Sequence, residues 1–471
     1  MSFGLILKIA CRNIFRHTRR SVTNVATIAI GAAAVLIFGG YITYIQYGVQ
    51  TGAVQHTGHF QIFRNGYFKY GIAAPGAWGI DGYQAVLDLI QQDPVMSSLS
   101  AVVTPIQSLT GIAGNFESDT ATTFIGVGFV PSDRDRMKRW NEYGTSSQGL
   151  KRSGLTDDDL SRGITGAGLV RILGLGARFH LDDELPPSQR VETGNQPATS
   201  GPSVDLAELA GRDKAIGTAA TDETEPSIDL LAATAGGAPN VVTLQVARIE
   251  RQPLKELDDV YVGMNLGLAQ ELIYGRGEHK ATGIVVQLRR TEDMPAARGR
   301  LASLFKDHRL DLEVRDFTEL NPQYRQIIGL FRSIFSFLSV IIGIVVLFTV
   351  TNAMSMSVVE RTGEIGTARA MGLRRQGVRR QFLLEGSLLG FAGATLGLVL
   401  ASLVAYGINH SALTWTPPGQ AAPVPLRLYL QGTSALVLLT WTALVAISTL
   451  AALVPANRAA RMTVVEALRH V

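Results

Sequence analysis

Few side chains in this sequence stand at spacings that could carry out chemistry. His56 and His59 have an H-x-x-H spacing, which on a helix would turn two imidazoles toward one zinc ion. Gly58 lies between them, the chain runs on into a strand pattern, and no glutamate follows His56 to act as a base. A structural role fits them better. Asp157, Asp158 and Asp159 lack the glycine and closing glutamate of a calcium loop, so they read as charge at a helix start. The glycine-rich stretch GITGAGLVRILGLG at 163–176 has no G-x-x-x-x-G-K-[ST] pattern. Neither that phosphate loop nor a G-x-S-x-G nucleophile elbow occurs in the 471 residues. No catalytic residue, metal or resident cofactor is expected.

The elements that would have to position any site are mostly apolar. Charged residues make up 17% of the chain and apolar residues 46%, whereas a soluble domain carries about 25% charge. Four charge-poor runs are each long enough for the roughly 20 residues that cross a bilayer. They predict spans at 22–47, 328–357, 382–407 and 434–455. The first exceeds a signal-peptide core and reads as an uncleaved span.

Charge orients these spans. Residues 1–21 hold Lys8, Arg12, Arg16, Arg19 and Arg20 and no acid. Residues 358–381 hold six more arginines and the tail, 456–471, another three. The loop at 408–433 holds only Arg427. The positive-inside rule places both termini and the 358–381 loop in the cytoplasm. The segment 48–327 then lies outside, with 27 Lys+Arg against 35 Asp+Glu, so the formal +4 divides into −8 there and +12 elsewhere. The bases flank membrane segments, which points to anionic lipid headgroups and away from nucleic acid.

The external segment reads as mixed α/β. HFQIF, SAVVTPIQSL, TTFIGVGFV, VVTLQVARI and GIVVQL are strand-like, and a helix pattern follows the short strand at 259–262. Residues 192–238 are rich in Gly, Ala, Thr, Ser, Pro and Asp and predict a flexible insertion. The sole cysteine, Cys11, leaves this segment without a disulfide.

The stretch 358–398, VVERTGEIGTARAMGLRRQGVRRQFLLEGSLLGFAGATLGL, is the most informative. It predicts a short amphipathic helix with Ala368, Met371 and Leu373 on a small apolar face, Glu364 and Arg369 at its rim, and a groove of another protein as its seat. Gly390, Gly393 and Gly397 in the third span permit close helix approach.

On ERTGEIGTARAMG at 360–372, QFLLEGSLLG at 381–390, PANRAARMTVVEALR at 455–469 and RNIFRHTRRS at 12–21, the sequence resembles the FtsX-like permease family, including the MacB and LolC/LolE types of ABC transporter. The order of one span, a large external domain and three spans is similar to that family's. The resemblance implies a four-span helical membrane domain with a MacB-like periplasmic α/β domain, in a bacterial inner membrane. It implies a dimer with a second copy or paralogue, working with a cytoplasmic ATPase that binds ATP and Mg. Glu364, Ile365, Gly366, Arg369, Ala370, Met371 and Gly372 would form the coupling helix. ATP-driven motion would pass through the second and third spans to the external domains, an action called mechanotransmission. The ATPase is expected as a separate subunit.

The segment GHFQIFRNGYFKYG, with Phe60, Phe63, Tyr67 and Phe68, faintly resembles the LolC/LolE branch and would offer aromatic contacts to a lipoprotein or other amphiphile. A structural strand and turn at the membrane surface explains these residues somewhat better. Three functions follow: a permease moving a hydrophobic substrate, with a possible periplasmic adaptor; a scaffold activating an external cell-wall hydrolase; and a membrane-anchored sensor. The third leaves the 360–372 motif without a role.

Overall fold

In the computed structural model the described residues are 18–115, 118–145, 153–179, 226–252, 255–275, 279–411, 413–415, 424–430 and 433–463, with Lys8, Ala10, Arg12, Asn13 and Arg16. Four helices among them are long and apolar enough to cross a membrane: Ser21–Thr57, Tyr324–Glu360, Arg375–His410 and Ser434–Arg461.

The first belongs to helix α1, Thr18–Thr57, whose 40 residues extend about 60 Å. The helix continues ten residues beyond the predicted end of the span at 47. No proline occurs before Gly58, which takes φ +69° and lies against Val285 and the Val286 carbonyl. Strand β1, Phe60–Arg64, follows at once.

The α/β region is built around one long strand. After α2 (Tyr83–Gln92) and α3 (Pro94–Leu99), β2 runs over Ser100–Asn115. Then come β3 (Thr120–Phe129), α4 (Pro131–Lys138), β4 (Arg162–Thr165), α5 (Ala167–Ile172), β5 (Ser227–Ala233), β6 (Pro239–Ile249), α6 (Lys255–Asp258) and β7 (Tyr261–Asn265). The region ends with α7 (Leu266–Tyr274), β8 (Gly283–Leu288), α8 (Met294–Asp307), β9 (Leu312–Asp316) and α9 (Phe317–Leu320).

The strand order is β3-β7-β4-β6-β5-β2-β8-β1-β9, with a further pairing of β3 to β2. That pairing, Ile106 with Phe129 through Asn115 with Thr120, closes six strands into a ring. At its other end β2 pairs β8, beginning the layer β2-β8-β1-β9. The region thus has two lobes sharing β2. The ring encloses Leu109, Phe124, Leu169, Leu230, Leu244 and Met264. The second lobe buries Phe60, Ile62, Ile90, Met96, Ile284, Leu301 and Phe305 between its sheet and α2, α3 and α8. Gly111 is required where β2 meets β5, because a Cβ there would strike the Leu231 carbonyl.

One expectation is corrected. The insertion predicted over 192–238 ends earlier: Ser227–Ala233 is β5, whose alternate residues Ile228, Leu230 and Ala232 enter the ring core. Residues 192–225 lie outside the described residues. The glycine-rich stretch at 163–176 is β4 and α5, and its glycines admit close backbone contact: a Cβ on Gly166 would meet the Asp258 carbonyl.

Helix α10 (Pro322–Glu360) leads back into the bundle and begins six residues before the predicted span, with Pro322 in its first turn. Helices α11 (Thr362–Ala370), α12 (Arg375–His410), α13 (Ser434–Ala451) and α14 (Leu453–Arg461) complete the chain's helical half, with a short pair of strands at Thr414–Trp415 and Val424–Pro425 between α12 and α13. Part of the predicted tail is therefore helical, and α14 buries Ala456 and Ala459 in the bundle core.

Candidate functional site

The basic end of the bundle gathers the residues of the 360–372 motif. Helix α10 stops at Arg361, and Thr362 bonds the carbonyls of Val358 and Val359 through its hydroxyl, so α11 starts after a one-residue break. Its far end is a Schellman stop: Gly372 takes φ +94°, and the Gly372 and Leu373 amides donate to the Arg369 and Ala368 carbonyls. A short rigid segment results, held at both ends.

An ionic network fixes α11 to its neighbours. Arg361 Nη1 donates to both carboxylate oxygens of Glu385 on α12, at 3.1 and 3.0 Å. Both residues are deeply buried, at 6% and 4% exposure, and the guanidinium lies 5.3 Å from the Phe382 ring. Asn13 donates to the same carboxylate at 2.7 Å. Arg361 also reaches Glu364 at 3.4 Å, and Arg16 bonds Glu364 at 2.8 Å. The segment before α1, helix α11 and the start of α12 therefore share one polar cluster. Removing one partner of such a buried pair costs roughly 3–5 kcal/mol, because the other charge is left uncompensated.

The residues predicted for coupling divide between two faces. Ile365 and Gly366 are buried and turn inward, Ile365 into the bundle core. They are positioned as supports for α11. Glu364, Ala370, Met371 and Gly372 are exposed, and Met371 stands 79% exposed at the tip. Arg369 is half-buried and donates to the Met462 carbonyl after α14. The apolar surface is thus Met371 and Ala370, with Leu373 packed back on the bundle. Sequence reasoning missed Arg361, Glu385, Asn13 and Arg16 as one unit. The available signal was a glutamate at 385 inside an apolar run, which demands a buried cation.

The glycines of α12 serve three contacts. Gly390 lies against Ser448 and Val445 of α13, Gly393 against Ile28 and the Val25 carbonyl, and Gly397 against Ala32 and the Ala29 carbonyl of α1. A side chain at any of them would overlap these neighbours. Ser448 donates to the Gly386 carbonyl at 2.8 Å across the same seam. Helix α10 is held far less: 11% of its apolar window is buried, against 44% for α1 and 39% for α12.

At the other end α1 and α10 enter the α/β region. Tyr47 stacks on Tyr143 at 4.1 Å, Gln55 donates to the Trp140 carbonyl at 2.7 Å, and Arg134 donates to the His56 carbonyl at 2.9 Å. Val54, Trp140 and Phe317 form a small core with Tyr324 of α10 packed on it. One continuous helix therefore links the polar cluster to this contact along α1, and a second along α10.

The remaining predicted residues fall elsewhere. Phe60, Phe63 and Tyr67 are buried, and only Phe68 is open at the surface. Burial corrects the reading of Phe60, Phe63 and Tyr67 as substrate contacts: β1 is an interior strand between β8 and β9, and Phe63 stacks on Tyr67 at 4.8 Å. His59 is fully buried. Its Nδ1 accepts from the Leu288 amide at 3.0 Å, so Nε2 carries the proton, 3.2 Å from Thr291 Oγ1. Burial pushes its pKa down to about 3. His56 instead faces Arg134 at 2.7 Å. Among the described residues no three His, Cys, Asp or Glu side chains gather to hold a metal. Asp157, Asp158 and Asp159 open no helix, which corrects that expectation: the chain there turns into β4, and Asp157 accepts instead from the Ser132 amide of α4 at 2.8 Å.

Comparison with known proteins agrees with this geometry. Residues 334–464 match the family described as FtsX-like permease C-terminal. The chain is 26% identical over 162 residues to the lipoprotein-releasing system transmembrane protein LolC of Haemophilus influenzae, covering 34% of this chain and 39% of that one. It is 33% identical over 148 residues to the macrolide export ATP-binding/permease protein MacB of a Shewanella species, covering 30% and 22%. To the ABC transporter permease YtrF of Bacillus subtilis it is 30% identical over 123 residues, covering 25% and 28%. The match spans well under two thirds of each relative. Residues 334–464 therefore form an FtsX-like permease domain, in a chain similar to the ABC transporter permeases LolC and MacB.

Proposed function

We propose that this chain is the membrane subunit of an ABC transporter, which couples ATP hydrolysis by a cytoplasmic ATPase to motion of its α/β domain. The basic end of the bundle lies in the cytoplasm of a bacterial cell and the α/β domain in the periplasm, as the positive-inside rule requires. One observation carries the reading. Helix α11 is tied by Arg361–Glu385 and Arg16–Glu364 to α12 and to the segment before α1, and α1 and α10 continue unbroken to the α/β domain.

Met371, Ala370 and Glu364 present the surface on which the ATPase seats. Closure of two ATPase subunits would displace α11, and the polar cluster would pass that displacement to α1 and α12. Loosely held α10 would move most. LolC and MacB are named for lipoprotein and macrolide substrates, which share hydrophobicity, and we assign this chain a hydrophobic or amphiphilic substrate handled on the periplasmic side. A dimer supplies the second ATPase seat.

The test is affinity purification of the full chain in detergent. The ATPase is expected to co-purify with the native protein and to be lost with Met371→Asp. Retention of a full complement of ATPase by that variant contradicts the assignment of α11.

A further inference from the structure

A groove of about 680 Å³ opens between the start of α1 and the end of α10, lined by Arg16, Arg19, Asn24, Asn352, Ala353 and Glu360, among others. Its mouth holds Arg16 and Arg19 together with the carboxylate of Glu360, and Asn352 and Thr349 lie deeper. Asn352 is exposed and lies eight residues before Glu360, about 12 Å along the helix from the cytoplasmic end. An amide at that depth facing only hydrocarbon would lose its hydrogen bonds at a cost of kilocalories. The outward face of α10 just beyond it is apolar, with Val345 and Phe348 exposed. The occupant must therefore be amphiphilic, with an acceptor-rich anionic head at the arginines and a chain along α10.

We propose that this groove binds the headgroup of an anionic phospholipid from the cytoplasmic leaflet. Arg19 and Arg16 meet the phosphate, and the exposed Asn352 meets the glycerol and ester oxygens. The inference rests on the reading that α1 and α10 cross a bilayer. A second copy of this chain is disfavoured in the groove, because a two-fold contact here would set the basic segment 1–21, with five bases and no acid, against itself. The site bears on coupling, since Arg16 is also the partner of Glu364 on α11. A bound phosphate shares Arg16 with Glu364 and loosens α11 from α1, so the lipid tunes how firmly the coupling helix is held.

Native mass spectrometry of the full chain tests this, after release from nanodiscs of phosphatidylcholine with a minor fraction of phosphatidylglycerol. The native chain is expected to retain phosphatidylglycerol preferentially. Arg19→Gln should lower that retention about five-fold, the effect of one basic residue at an anionic surface. Ala353→Trp, which fills the groove without changing charge, should lower it at least as much, and Val340→Trp, the same side chain placed outside the groove, should leave it unchanged. Unchanged retention in Ala353→Trp overturns the proposal, as does equal loss in both tryptophan variants. Separation of a chain pair by Ala353→Trp with lipid unchanged assigns the groove to a second copy and also overturns it. A chain that fails to enter nanodiscs at all overturns the membrane reading itself.

Discussion

The two halves of this molecule are held together by different means. The α/β domain is a sheet closed partly on itself around large apolar side chains, with Phe124, Leu169 and Leu230 almost wholly enclosed. The helical bundle uses small residues and a buried ion pair within a polar cluster: glycines of α12 against α1 and α13, and Arg361 with Glu385. Apolar burial drives the first arrangement, as in any domain surrounded by water. In a bilayer that drive between helices is absent, so close contact and paired polar groups must replace it. The result is a rigid domain on a bundle that is tight along α1–α12–α13 and loose at α10. That asymmetry suits a device in which one helix moves and its load stays intact.

Several changes would break or sharpen this contrast. The largest effects are expected where each half has its single most committed feature. Phe124→Ala should destabilise the α/β domain by roughly 3–5 kcal/mol, read by chemical denaturation, with the bundle's helical signal retained. Glu385→Ala should cost the bundle a similar amount, about 3–5 kcal/mol. Arg361→Met with Glu385→Leu should recover most of that stability but not the coupling, measured as ATPase stimulation.

A smaller effect follows from the glycine seam. Gly397→Leu must displace Ala32 and the Ala29 backbone, and overpacking of this kind costs about 1–3 kcal/mol. Thermal unfolding in detergent should shift, whereas a leucine at Gly299 on α8, where no atom stands within 4 Å, should leave the midpoint close to that of the native chain.

Acid should separate the halves as well. His59 is held neutral in the fold with its pKa pushed down to about 3, so it protonates more readily when unfolded, near pH 6.5. Its contribution is present above pH 6.5 and is lost as pH falls from there toward 3, at up to about 1.4 kcal/mol per unit. Asp93, held low first by its hydrogen bond from Arg300, adds a loss at still lower pH as its carboxylate protonates. Denaturation midpoints of the α/β domain should fall between pH 6.5 and 4 in the native chain, and less in His59→Gln.

The smallest expected change in stability is at the coupling surface. Met371 is almost fully exposed, so Met371→Ala should alter the melting temperature little while weakening ATPase association.

Much of this design is legible in the amino-acid order, and what is hidden has physical causes. Four apolar runs and the strands at HFQIF, TTFIGVGFV and GIVVQL announce themselves because burial on one or both faces imposes a composition. Helix ends are not legible: α1 continues to Thr57 because Val54 and Gln55 find Trp140, a contact more than eighty residues away in sequence. Strand β4 has four residues, too few to show a period. The aromatic segment at 60–68 misleads because a strand buried on both faces carries the same residues as a sticky surface. The 360–372 motif marks the helix proposed for coupling, yet its partner Glu385 is visible only as a charge out of place until the fold sets it against Arg361.

The central claim is that displacement of α11 reaches the α/β domain through the polar cluster and the long helices. Hydrogen–deuterium exchange tests it most directly, on the transporter complex with and without a non-hydrolysable ATP analogue. The account predicts that the analogue changes exchange at residues 47–57 and 134–143, where α1 meets the domain. It predicts further that Arg361→Met abolishes this change while leaving the ATPase bound. An unaltered response in Arg361→Met, or no response at these residues in the native complex, would contradict it.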